Sequence, residues 1–142
     1  MNIMEKIIIF TDGGSRGNPG IAGVGVAIFD NKKEIKGVSK FLGKRTNNWA
    51  EYEAVVLALE TAHRMFGKKT LKMDFEIRMD SQLVQRQLNN EYQIKEESLF
   101  EQYIKIHNLI IKYFPHIKFI HIPREKNKRA DELSNEAMDE GK

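Results

Sequence analysis

The chain has no cysteine, one tryptophan and three prolines in 142 residues. Without thiols there can be no disulfide, no thiolate metal site and no cysteine nucleophile, so any bound metal must be held by oxygen or imidazole. No apolar run is long enough to cross a bilayer, and Met1-Asn2-Ile3-Met4-Glu5-Lys6 lacks the basic start and apolar centre of an export signal. A cytoplasmic protein with no membrane partner is therefore expected. Charge of one sign is also scarce: 23 Lys and Arg against 20 Asp and Glu leave +3, which permits a polyanionic partner without demanding one. The local basic runs at Lys32-Lys33, Lys44-Arg45, Lys68-Lys69 and Arg124 to Arg129 read first as solvated faces.

The length, with 41% hydrophobic and 30% charged residues, suits a single domain spanning 1–142 with a real core. Ile7-Ile8-Ile9-Phe10 is a wholly apolar run, which reads as a strand covered on both faces. The glycines and Pro19 that follow predict a loop, leaving Asp12 at the strand's mouth with open surroundings. Strands are expected over 6–11, 22–30 and 33–42, the last two joined as a hairpin by Asp30-Asn31-Lys32-Lys33. A helix should run from 48 to 66 and stop at Gly67, and 71–79 alternates as a half-buried strand. Helices are expected over 81–88, 96–114 and 128–138, with a fifth strand over 117–122. In the 96–114 helix the stripe expected to pack contains Leu99, Phe100, Tyr103, Ile104, His107, Ile110 and Ile111. The predicted class is α/β, a five-stranded mixed sheet with helices on both faces.

Among the acids, helical geometry singles out Glu51, which shares a stripe with Val55, Ala58, Leu59 and Ala62, whereas Glu53 lies with Glu60 and Arg64. A carboxylate on an apolar face is costly unless a cation compensates it. Asn48-Trp49-Ala50-Glu51 equally matches a capping box. Asp80 stands where a strand meets Ser81-Gln82 and could cap the next helix, and Asp131 lies in the first turn of the last helix, where an acid favours the dipole. Capping alone does not explain why all these acids occur at element ends on one side of one sheet. Brought together they would repel, and they make sense mainly as ligands for hard divalent cations such as magnesium. Two ions about 4 Å apart serve phosphodiester hydrolysis.

Four ordered motifs give the chain a resemblance to type 1 ribonuclease H: Thr11-Asp12-Gly13-Gly14-Ser15-Arg16-Gly17-Asn18-Pro19-Gly20, Thr46-Asn47-Asn48-Trp49-Ala50-Glu51, Asp80-Ser81-Gln82 and Asn127-Lys128-Arg129-Ala130-Asp131-Glu132-Leu133. The resemblance implies that Asp12, Glu51, Asp80 and Asp131 are catalytic and hold two magnesium ions, with manganese as a substitute. The implied reaction cuts the RNA strand of an RNA–DNA hybrid and leaves 5′-phosphate and 3′-hydroxyl ends. It further implies substrate contacts by Gly13, Ser15, Asn18, Asn47, Gln82, Arg124 and Asn127. A minor groove read by amides suits a substrate told from DNA by its 2′-hydroxyl.

The chain departs from the family pattern in two places. The loop after the fifth strand, Pro123-Arg124-Glu125-Lys126-Asn127, has no histidine, and Arg124 or Lys128 is expected to contact phosphate instead. His121, inside an alternating strand, reads as a packed or surface residue. Residues 89–95 are short and barely basic where some relatives carry a basic handle, and no hybrid-binding domain is expected before the first strand. The chain thus resembles the compact subgroup, and a monomer is expected. The alternatives are a non-catalytic hybrid- or RNA-binding module of the same fold, and a related nuclease acting on double-stranded RNA or DNA.

Overall fold

A computed structural model describes residues 5–141. Of Met1 to Lys6, on which the expectation of no export signal rests, residues 1–4 lie outside the described residues. Strands β1 (Lys6–Gly17), β2 (Gly20–Asp30) and β3 (Lys33–Arg45) pair antiparallel, and β4 (Asp74–Met79) and β5 (Ile117–His121) add in parallel, giving the order β3-β2-β1-β4-β5. The helices are α1 (Asn47–Phe66), α2 (Gln82–Leu88), α3 (Phe100–Tyr113) and α4 (Lys128–Glu140). This is the mixed sheet that the sequence predicts. No helix among the described residues is long and apolar enough to cross a membrane.

The glycine-rich segment is a correction. It is not a loop: β1 runs through it to Gly17, paired residue by residue with β2 from Ile7↔Asp30 to Gly17↔Gly20. Glycine serves here for close approach. A Cβ on Gly13 would lie 2.2 Å from the Ala50 carbonyl oxygen of α1, and one on Gly25 would lie 2.2 Å from the Ala130 carbonyl oxygen of α4. These two positions let one helix settle on each face of the sheet.

Three smaller expectations also change. Residues 67–72 form a 3₁₀ turn, so β4 begins only at Asp74. The apolar run of β1 is covered on one face only: Ile7 and Ile9 are fully buried beneath α1, while Ile8 and Phe10 are half-buried on the other side. On α3, Gln102 and Ile106 are buried and Tyr103 and Ile110 of the expected stripe pack partly buried against the core, with Leu99 just before them, whereas Phe100, Ile104, His107 and Ile111 are exposed. The main cluster lies between α1 and the sheet, where Val55, Leu59, Phe75 and Ile77 meet Phe114.

Candidate active site

The site begins where two strands part. β1 and β4 pair in parallel only as far as Phe10↔Arg78. Asp12 and Asp80 each stand two residues past that last pair, so the register brings both carboxylates to one gap. Beyond Phe10, alternate residues of β1 turn backbone groups toward an edge with no strand, and such groups need other partners. Side chains supply them. Asn127 Nδ2 donates to the Thr11 carbonyl at 2.9 Å, Glu51 Oε1 accepts from Gly13 N at 2.5 Å, and Asn47 Oδ1 accepts from Ser15 N at 2.8 Å.

Glu51 reaches this edge because α1 starts beside it. The helix is capped by Thr46, whose hydroxyl accepts from Trp49 N at 3.2 Å, so of the two readings of Glu51 the capping box on Asn48 is the one that does not form. Likewise Ser81, not Asp80, caps α2 by accepting from Val84 N at 3.3 Å. Asp131 occupies the first turn of α4, and its side chain meets that of Asp12.

One carboxylate oxygen from each of Asp12, Glu51 and Asp80 lies within 4.8 Å of the other two, and Asp131 lines the same cavity of about 360 Å³. Asp12 and Glu51 are only 8% and 9% exposed, so the expected open surroundings of Asp12 are not found. Burial, then the charges of Asp80 and Asp131, raise the Asp12 carboxyl from 3.8 to about 7. Glu51 is pushed well above the ordinary range, first by burial and then by the Asp12 charge, against a smaller lowering by the Gly13 N–H. Clustered carboxylates that hold protons this tightly are a donor set short of positive charge, which is the condition a hard divalent cation relieves.

Of the remaining expected residues, Gly13, Ser15, Asn47 and Arg124 line the cavity. Asn18 lies outside its wall, and its Oδ1 accepts from Asn47 N at 3.1 Å, tying the β1–β2 turn to α1. Gln82 is exposed on α2, away from the wall. Asn127 is a correction: it is fully buried and cannot present a face to substrate. Its Nδ2 donates to Asp80 Oδ2 at 3.0 Å as well as to Thr11, so it orients an acid.

Sequence reasoning missed Ser134, whose hydroxyl lies 3.2 Å from Asp12 Oδ2, and Asn135, which links the Asp131 carbonyl to Arg16. The signal for Ser134 was available. It sits three residues after Asp131, on the same α4 stripe as Ala130 and Ala137, which packs on the sheet.

The family described as Reverse transcriptase-like matches residues 10–137. A protein named Ribonuclease H from Clostridium botulinum is 33% identical over 161 residues, covering 96% of this chain and 98% of that one. The chain belongs to the ribonuclease H family. Among solved structures, LC11-RNase H1, isolated from compost by a metagenomic approach, superimposes with a TM-score of 0.91 at 52% identity, covering 96% of this chain and 98% of that one. LC11-RNase H1 has also been solved in complex with an RNA/DNA hybrid, and that structure matches with a TM-score of 0.91 at 50% identity over 94% of this chain and 97% of that one. A bifunctional protein of Mycobacterium tuberculosis is 34% identical over 136 residues; the match covers 94% of this chain but 36% of the longer protein. The chain thus spans about a third of the length of its mycobacterial relatives, and within the ribonuclease H family its site is built by β1, α1, β4 and α4.

Proposed function

We propose that this chain hydrolyses the RNA strand of RNA–DNA hybrids with divalent metal ions, leaving 5′-phosphate and 3′-hydroxyl ends. The observation that carries the reading is the cluster of Asp12, Glu51 and Asp80, with carboxylate oxygens within 4.8 Å of one another at the parting of β1 and β4. The solved complex of LC11-RNase H1 with an RNA/DNA hybrid supports the choice of substrate. Asp12, Glu51, Asp80 and Asp131 would hold two magnesium ions, or manganese in their place. Bound there, the ions would supply activation of a water and stabilisation of the leaving oxygen.

The chain's own groups do the positioning. Glu51 is held to the Gly13 amide, Asp80 to Asn127 and Asp12 to Ser134, so that three acids keep fixed orientations before substrate arrives. Arg124, exposed on the cavity wall, would take a phosphate of the strand being cut. With no histidine in its loop, Arg124 supplies charge and no proton transfer near neutral pH. Gly13, Gly14, Ser15 and Asn47 line the remaining wall, and the backbone there and the Asn47 amide would face the RNA 2′-hydroxyls.

The test is cleavage of a labelled hybrid in magnesium and in manganese, beside duplex RNA and duplex DNA of the same sequence. Hybrid should be cut, and Asp12→Asn should slow cutting by more than about tenfold, equivalent to a barrier rise above about 1.4 kcal/mol. Equal cutting of plain DNA, or an Asp12→Asn variant as fast as the parent, would overturn the reading.

A further inference from the structure

The uncovered half of the sheet forms a second cavity. Ile8, Phe10 and Phe29 floor a hollow of about 490 Å³ on the α4 side, next to the helix's first residues. Phe10 and Phe29 meet edge to face at 5.4 Å, and the Arg78 guanidinium carbon stands 5.6 Å from the Phe10 ring. The rim carries Lys32, Arg78, Lys126, Lys128 and Arg129 against one acid, Glu125. Arg78 is tied to Glu76 and Arg129 to Glu34 and Glu132, but Lys32, Lys126 and Lys128 make no ion pair among the described residues.

An aromatic floor under free lysines suits a ligand with a flat apolar part and an anionic part, which is the chemistry of a nucleotide. Two features connect this hollow to the carboxylate cavity. The segment from Arg124 to Lys128 is a wall common to both, with Arg124 on one side and Lys126 and Lys128 on the other. Phe10 and Asp12 are on the same face of β1, two residues and about 7 Å apart. We propose that the hollow is a subsite for an unpaired nucleotide in a single-stranded extension of the RNA strand, its base against Phe10 and Phe29 and its phosphates on Lys32, Lys126 and Lys128. The attachment to a hybrid rests on the function proposed above; the recognition of an unpaired nucleotide does not.

The experiment is fluorescence anisotropy in EDTA, so that nothing is cut, using three labelled ligands: a blunt hybrid, the same hybrid with six unpaired RNA nucleotides, and the RNA hexanucleotide alone. The extension should tighten binding by about tenfold, the scale of one stacked base. Phe29→Leu, which keeps the apolar floor without the ring, and Lys32→Glu, in the remote β2–β3 turn, should each remove most of that gain and leave blunt-hybrid affinity unchanged. If neither hybrid binds but the hexanucleotide binds in a manner lost in both variants, the subsite stands without its attachment to a hybrid, and the hybrid function is judged by the cleavage assay above. Equal binding of blunt and extended hybrids overturns the proposal, as does hexanucleotide binding indifferent to both variants. An acidic phenylalanine-containing peptide bound more tightly than the hexanucleotide overturns the proposal by giving the hollow another occupant.

Discussion

Glu51 Oε1 accepts the amide hydrogen of Gly13 at 2.5 Å, joining the first acid of α1 to the edge of β1 that β4 leaves without a partner. The same carboxylate serves two ends, as backbone acceptor and as proposed metal ligand, and a glutamine separates them. Glu51→Gln keeps an acceptor for Gly13 and removes a charge that burial disfavours. The variant should melt at or above the parent's temperature when metal-free, bind magnesium more weakly in calorimetry, and cut hybrid more than about tenfold more slowly. A fall in metal-free melting temperature would mean that the charge itself holds α1 to β1.

The acid cluster makes stability depend on pH in a defined direction. The Asp12 carboxyl is raised in the folded chain from 3.8 to about 7, so between those values the folded state binds more protons than the unfolded one. Its contribution to stability is full below 3.8 and is lost as pH rises through about 7. Glu51, also raised, acts with the same sign. The metal-free protein should therefore melt at a lower temperature at pH 8 than at pH 5. Magnesium should restore more at pH 8, because it binds the deprotonated acids, and Asp12→Asn should flatten the metal-free dependence. A scanning-calorimetry series in EDTA and in magnesium tests all three outcomes.

The Ser134 hydroxyl lies 3.2 Å from Asp12 Oδ2 and 3.0 Å from the Asp131 carbonyl, and its single hydrogen serves one of them at a time. Ionised Asp12 draws it, because a bond to a charged acceptor is the stronger. Ser134→Ala leaves the helix intact and lets the Asp12 carboxylate turn. Magnesium affinity should drop by about tenfold, the scale of a lost partner behind a ligand. Titration calorimetry reads this without turnover, and unchanged affinity would reduce Ser134 to a local bond within α4.

Much of this arrangement is legible in the sequence, and the illegible part has one physical origin. The alternation of Met73 to Met79, the apolar stripe of α1 and the turn at Asp30 to Lys33 report local periods, so the elements and their order follow from them. The acids sit at element ends, which local motifs also mark. What no local pattern records is where β4 stops pairing with β1. That point decides which backbone groups of Thr11, Gly13 and Ser15 are left without a strand, and hence why Asn127 is buried as a brace instead of facing substrate. The glycines misled for a related reason. Their composition signals a loop, but Gly13 and Gly25 stand in paired strands because two helix backbones come too near for a side chain. Apolarity alone does not distinguish a helix-covered strand from one that floors a hollow, as Ile8 and Phe10 do.

Asn127 offers the sharpest test of the brace. Its Nδ2 holds the Thr11 carbonyl and Asp80 Oδ2 together, and its buried Oδ1 has no partner among the described residues, so the amide's value lies in its donor end. Asn127→Ala strands the Thr11 carbonyl on an edge with no strand and frees Asp80, which should cost about 1–3 kcal/mol in denaturant unfolding. Asn127→Asp is the more telling change: it is nearly isosteric, but it turns an acceptor-only carboxylate toward two acceptors, one of them an acid. It should destabilise the chain more than alanine does and weaken magnesium binding in step. If Asn127→Asp instead folded as stably as the parent and bound magnesium more tightly, the residue would be a latent ligand position and not the brace of Asp80.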